Sequence, residues 1–168
     1  MQIKRFLPRP PEDIPAPRPA PDAVFEQVFP IGWGDLDPAQ IAYTGRLPDF
    51  AVRAVERWMG ATLGGGFFEL NRSYGIDTPF VHLSMDFVSP VTADGDLSCA
   101  VHAETIGRTS LSTLTIGRQD GREAFRARLV NVFVHQETFR PFEILPNVRA
   151  TLEAYRDRFP PPAAPPRS

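Results

Sequence analysis

One stripe of apolar side chains constrains this chain more than any other feature. Leu47, Phe50, Ala51, Ala54, Val55, Trp58 and Met59 recur at alternating steps of three and one, the period of a single helix face. Asp49, Arg53, Glu56 and Arg57 take the opposite face, so the stripe must be covered by another part of the fold. Arg53 and Arg57 each lie within helical reach of an acid, which reads as a solvated face. Pro48 is tolerated only in a first turn, which sets the helix start near Arg46 or Leu47. Gly60 and the glycines at 64–66 are expected to end it.

From residue 80 the period changes to two. Over residues 80–88, Val81, Leu83, Met85 and Phe87 fall on one side and His82, Ser84 and Asp86 on the other. Over residues 97–106, Leu97, Cys99, Val101 and Ala103 share a side. Residues 110–117 and 124–134 are also strand-like, and Asp94-Gly95 and Asp120-Gly121 are turn signals. Residues 24–31 form a β-prone run whose Pro30 suggests an edge or a strand end. Val148, Leu152, Tyr155 and Phe159 have the spacing of a short terminal helix. Strands joined by short turns are antiparallel, and one long helix must bury its stripe on them. The expected class is α+β, with a curved antiparallel sheet around one helix. The glycines at 64–66 lack the strand–glycine–helix spacing of a dinucleotide site.

The 168 residues fit one domain. Prolines at 8, 10, 11, 15, 17, 19 and 21 make residues 1–22 an extended arm, and residues 160–168 a second proline-rich tail. The folded body is therefore expected over residues 23–159. A net charge of −2 argues against a general nucleic-acid binder, although arginines can still form a local anion site. Cys99 is the only cysteine, reads as a small buried hydrophobe, and is compatible with a reduced cytoplasm. No run of about 18 apolar residues suggests a membrane span, and the basic start is followed by prolines instead of a signal core.

The residues that suggest chemistry sit just before the helix, in WGDLDPAQIAY at 33–43. On pattern alone Asp37 is either a catalytic carboxylate or a cap, and Asp35 reads as a turn stabiliser. His82, His102 and His135 fall in separate strands with no zinc-type spacing, so no metal is expected. No G-x-S-x-G elbow supports a serine nucleophile. Arg108, with Thr109 and Ser110, either solvates a hairpin end or offers a charged fork and hydroxyls to phosphate.

The stretch GDLDPAQIAY followed by the amphipathic helix resembles the hotdog-fold acyl-CoA thioesterases of the 4-hydroxybenzoyl-CoA thioesterase type, which show G-D-x-D-P-A-G-I there. The likeness continues in Tyr74-Gly75-Ile76, in Thr78-Pro79 and in Gly107-Arg108-Thr109-Ser110, and covers roughly residues 24–145. It implies that Asp37 is the catalytic carboxylate and that the Thr44 backbone N–H is the oxyanion donor. It further implies that Tyr43 lines the acyl pocket, that Thr78 faces the acyl group across a subunit interface, and that Arg108, Thr109 and Ser110 hold coenzyme A. Coenzyme A would be part of the substrate, with no further cofactor, and the protein would be a homodimer or homotetramer. Other readings are a non-catalytic acyl-CoA binder or sensor, dehydration of a hydroxyacyl thioester, and a structural dimer. No histidine lies between residues 30 and 60, which argues against dehydration. Three departures stand out. Gln40 replaces the usual glycine and would be strained at positive φ. Thr44-Gly45 replaces an aromatic-proline pair. Val52 replaces the acid associated with a substrate hydroxyl, so the acyl side is expected to be apolar and not hydroxybenzoyl-specific.

Overall fold

In the computed structural model, which describes residues 22–163, an antiparallel sheet covers the apolar stripe. The elements in chain order are β1 (Glu26–Phe29), α1 (Leu47–Leu63), α2 (Phe67–Tyr74), β2 (Ile76–Asp77), β3 (Phe80–Phe87), β4 (Leu97–Ile106), β5 (Ser110–Gln119), β6 (Arg122–Val132), β7 (Val134–His135) and α3 (Pro146–Arg158). Five strands form one sheet in the order β1-β4-β5-β6-β3, all neighbours antiparallel, and β2 pairs with β7 apart from it. Most of residues 1–22 and of the 160–168 tail, namely 1–21 and 164–168, lies outside the described residues.

Every residue of the α1 stripe is buried, as are Leu97, Cys99, Val101 and Ala103 of β4. At about 1.5–3 kcal/mol per large side chain, this helix–sheet contact is the main source of stability. The helix start agrees with the position of Pro48. Its end does not fall at Gly60: α1 continues to Leu63 and stops at Gly64, whose φ of 78° is left-handed. A helix tolerates one interior glycine at a cost of about 1 kcal/mol. Here a side chain at residue 60 would come within 3.4 Å of the Gly66 backbone, so glycine lets the next turn pack closely. That turn leads into α2, an element the periodicity left unassigned because only Leu70 of its eight residues is buried.

Along β3 the alternation is real, but among the described residues its apolar side is covered only in part, at Met85, which packs against the core. Val81 is 61% exposed and Phe87 53%, and Leu83 and Val88 are exposed too. The strand is the sheet's outer edge, beyond the reach of α1, and a register irregularity lies between Phe80 and His82. At the opposite edge α3 takes over where β1 stops. The Tyr155 hydroxyl accepts the Phe25 N–H (2.9 Å) and donates to the Val101 carbonyl (2.7 Å), and its ring packs on Trp58 at 5.2 Å. Beyond α3 the chain lies against the outer sheet face. There His102 Nδ1–H donates to the Phe159 carbonyl (3.2 Å), and Arg126 Nη1 to the Pro162 carbonyl (3.3 Å).

Burial pushes the Cys99 thiol from 9.0 up to about 12, with Glu26 adding to the effect, and pushes the Tyr155 phenol from 10.0 up to about 12. Burial also holds His102 below its ordinary 6.5. The folded chain therefore keeps two protons that the unfolded chain releases in alkali. That stability is present below pH 9 and is lost as pH rises from 9 towards 12. The lowered His102 works in the opposite sense: its contribution is present above pH 6.5 and is lost as pH falls. Thermal melts followed by circular dichroism should show a plateau between these limits. Cys99→Ala should soften the alkaline decline, by at most about 1.4 kcal/mol per pH unit.

Candidate active site

Pro30 ends pairing after β1, and the chain must then travel from the sheet edge to the start of α1. Asp35 holds that passage together. Its Oδ2 accepts the Gly32 N–H at 3.0 Å, its Oδ1 lies 3.3 Å from Arg46 Nε, and its carbonyl accepts the Tyr43 N–H at 2.8 Å. One residue thus ties a 3₁₀ turn at Trp33–Asp35 to a second at Thr44–Arg46, which runs directly into α1. This is the turn role the sequence suggested for Asp35, with Arg46 as an additional partner.

Asp37 sits inside the loop so closed. Its N–H donates to the Ile41 carbonyl and its own carbonyl accepts the Gln40 N–H, both at 2.9 Å. Its Oδ1 accepts the Ala39 N–H at 2.8 Å, and among the described residues nothing claims Oδ2. The half-buried carboxylate opens onto a cleft of about 660 Å³. Trp33, Leu36 and Ile41 line one part of the cleft and Thr92 and Asp94 another. Gln119, which is buried, fixes that second part: it accepts the Thr92 N–H (2.9 Å) and donates to the Thr92 (2.8 Å) and Gly95 (2.6 Å) carbonyls. Ile41 also bridges to Thr92, closing the floor.

The remaining expected site residues are spread more widely. Thr44 opens the 3₁₀ turn ahead of α1, and among the described residues no acceptor takes its N–H. Tyr43 is exposed, its ring lying over Gly45, where a Cβ would come within 2.7 Å of a ring carbon. Neither Tyr43 nor Thr44 lines the cleft, although both follow it directly in the chain. Val52 lies on α1, partly buried against the core. Thr78 is buried between β2 and β3; its carbonyl accepts the Asn131 Nδ2–H at 2.7 Å, and its hydroxyl has no hydrogen-bond partner among the described residues. Arg108, Thr109 and Ser110 form the β4–β5 turn and the start of β5, where Arg108 pairs with Glu143 at 3.2 Å. Arg149 of α3 braces this turn by donating to the carbonyls of Ile106, Gly107 and Arg108. Arg149 and Gln119 carried no pattern that would have marked them beforehand; Trp33 stood within the 33–43 motif and Asp94 in a turn signal, but neither pattern pointed to the cleft. The histidines lie elsewhere, His135 stacking on Phe142 at 4.7 Å.

Known structures resemble this arrangement. A thioesterase-superfamily structure from Jannaschia sp. CCS1 is 36% identical, with a TM-score of 0.76 over 82% of this chain and 96% of that one. A DHNA-CoA thioesterase from Staphylococcus aureus is 13% identical, with a TM-score of 0.71 over 79% of this chain and 90% of its own. A 1,4-dihydroxy-2-naphthoyl-CoA thioesterase from Synechocystis is 15% identical, with a TM-score of 0.69 over 77% of this chain and 96% of its own. No family model matches the chain, and no curated protein matches it.

Gln40 stands at φ 62°, so the loop does hold a side-chain residue in the left-handed region. That conformation costs roughly 1 kcal/mol, and glycine would relieve it. Gln40→Gly should therefore raise stability in urea titration, its gain reduced by the extra entropy of the unfolded glycine. A loss of stability would show that the glutamine side chain holds the loop.

Proposed function

The chain belongs to the thioesterase superfamily and has its hotdog fold, and on that premise we propose that it hydrolyses acyl-CoA thioesters to free acid and coenzyme A. The carrying observation is the carboxylate of Asp37: half-buried at a cleft, one oxygen held by the Ala39 N–H, the other uncommitted. A thioester carbonyl needs an attacking oxygen on carbon and a donor for the charge that develops on oxygen. In this reading Asp37 supplies the first, as nucleophile or as general base towards water. The unclaimed Thr44 N–H, at the positive end of the helix that follows, supplies the second. Water adds across the C–S bond, the acyl carbon keeps the oxygen, and the thiol of coenzyme A leaves with a proton.

Coenzyme A is part of the substrate in this scheme, and no other cofactor enters. Arg108, Thr109 and Ser110 meet its phosphates or pantetheine, on a turn that Arg149 keeps rigid. The resemblance assigns Tyr43, Val52 and Thr78 to the acyl side, although none of the three lines the cleft that holds Asp37. No helix among the described residues is long and apolar enough to cross a membrane, and the cytoplasm is the proposed site of action. The edge strand supports a homodimer, with a tetramer as its paired form: Val81, Leu83, Phe87 and Val88 leave an apolar strip beside backbone that no strand among the described residues pairs. A non-catalytic acyl-CoA binder is the second reading, because the Ala39 N–H bond to Asp37 is also what a purely structural turn would use.

Asp37→Asn should leave the circular dichroism unchanged and lower kcat, read as thiol release, by about a hundredfold or more. A folded variant with unchanged kcat would remove Asp37 from the chemistry, whereas a folded wild-type protein that binds acyl-CoA and releases no thiol would favour the binder. Asp35→Asn should mainly lower stability, by about 1 kcal/mol, through the loop it closes.

Light scattering should find a dimer or tetramer at assay concentration. Leu83→Lys on the β3 edge should yield folded monomers with reduced activity; an active wild-type monomer would contradict a shared site.

A further inference from the structure

Trp33 and Asp94 have no part in the scheme above, yet both line the cleft that holds Asp37. Trp33 is 92% exposed, while the other tryptophan, Trp58, is fully buried in the core. A surface indole is a large apolar face kept in water, and this one is not free to fold away. Its turn is pinned on both sides, by Asp35 N–H to the Gly32 carbonyl (2.9 Å) and by Gly32 N–H to Asp35 Oδ2 (3.0 Å). Asp94 is fixed as well: the Thr92 hydroxyl donates to its Oδ2 at 3.1 Å, within the segment that Gln119 holds. The apolar lining comes from Trp33, Leu36 and Ile41. Among the described residues, the charged side chains lining the cleft are two carboxylates, Asp37 and Asp94, and no arginine or lysine lines it beside them.

Resting on the thioesterase reading, we propose that this cleft receives the acyl group, that Trp33 selects for a flat apolar one by stacking on it, and that Asp94 rejects acyl groups bearing their own carboxylate. Stacking on an indole buries area that a thin aliphatic chain buries less completely. A second acid beside Asp37 repels an anionic acyl tail in a confined, partly apolar space, where screening by water is reduced. Trp33 and Asp94 are thus specificity determinants for the reaction, outside the group that performs it.

The experiment has two arms. In the first, the full-length Asp37→Asn variant is titrated with benzoyl-CoA, with glutaryl-CoA and with free coenzyme A while tryptophan emission is followed. With Trp58 buried, a saturable change belongs to Trp33; it is expected with benzoyl-CoA and not with the other two. In the second, kcat/KM is measured for benzoyl-CoA and glutaryl-CoA. Trp33→Ala should lower the benzoyl value about tenfold, with Trp33→Phe restoring most of it. Asp94→Asn should raise the glutaryl value about fivefold or more relative to the benzoyl value. Hydrolysis of benzoyl-CoA that is indifferent to Trp33→Ala, with silent emission, overturns the acyl-site assignment while leaving the thioesterase reading intact. Unaltered discrimination in Asp94→Asn overturns its charge role. A saturable benzoyl-CoA signal in a protein that cleaves no ester keeps the cleft as the acyl site and overturns hydrolysis instead.

Discussion

The rest of the structure depends on the burial of α1 against the inner face of the sheet. Trp58, Val55, Ala54 and Ala51 have no exposed surface, and their partners include Val101 and Ala103 of β4, also fully buried. The contact fixes the start of α1 relative to β1 and β4, and hence the two ends between which residues 30–46 must be strung. The candidate site occupies that span. Its precision is inherited from the helix–sheet contact, because loop groups can be positioned no better than the elements that carry them.

The two neighbouring acids divide their work accordingly. Asp35 spends both carboxylate oxygens and its carbonyl on closing the loop, reaching Gly32, Arg46 and Tyr43. Asp37 spends one oxygen on Ala39 and keeps the other for the cleft. Paired this way, they need not compete for one buried position, where two charges would repel. Arg46 offsets Asp35, so the carboxylate facing the cleft is the one without a basic partner among the described ion pairs.

What the sequence made legible was whatever repeats. The α1 stripe has seven members and the strands alternate over eight or more residues, so each signal is reinforced several times. The short elements β2, β7 and α2 hold too few buried residues for any period to emerge. Asp37 was visible because its neighbours form a motif. Gln119 and Arg149 were not, because each acts on backbone carbonyls that any sequence would supply. Trp33 was visible as a letter within the motif, but its exposure is a property of the fold alone.

The edge strand shows where a pattern and its burial part company. Alternation along β3 specifies which side chains share a face, and that face is the one carrying Leu83 opposite Leu129 and Met85 opposite Ala127. It does not specify what lies over them. Leu129 and Ala127 are covered by α1, but the helix is one helix wide and the sheet is five strands wide. Among the described residues, the outermost strand is therefore covered only at Phe80 and Met85, and Val81, Leu83 and Phe87 stay exposed. Thr78, whose hydroxyl has no partner among the described residues, lies just before Pro79 and β3, so it sits at the same margin. Among the described residues, an apolar strip, an unpaired strand edge and an unsatisfied buried hydroxyl converge on one side of the molecule, opposite the margin where Tyr155 of α3 bonds to β4. On one margin α3 takes up the part of β4 that β1 leaves unpaired, while on the other the described residues place no strand beside β3.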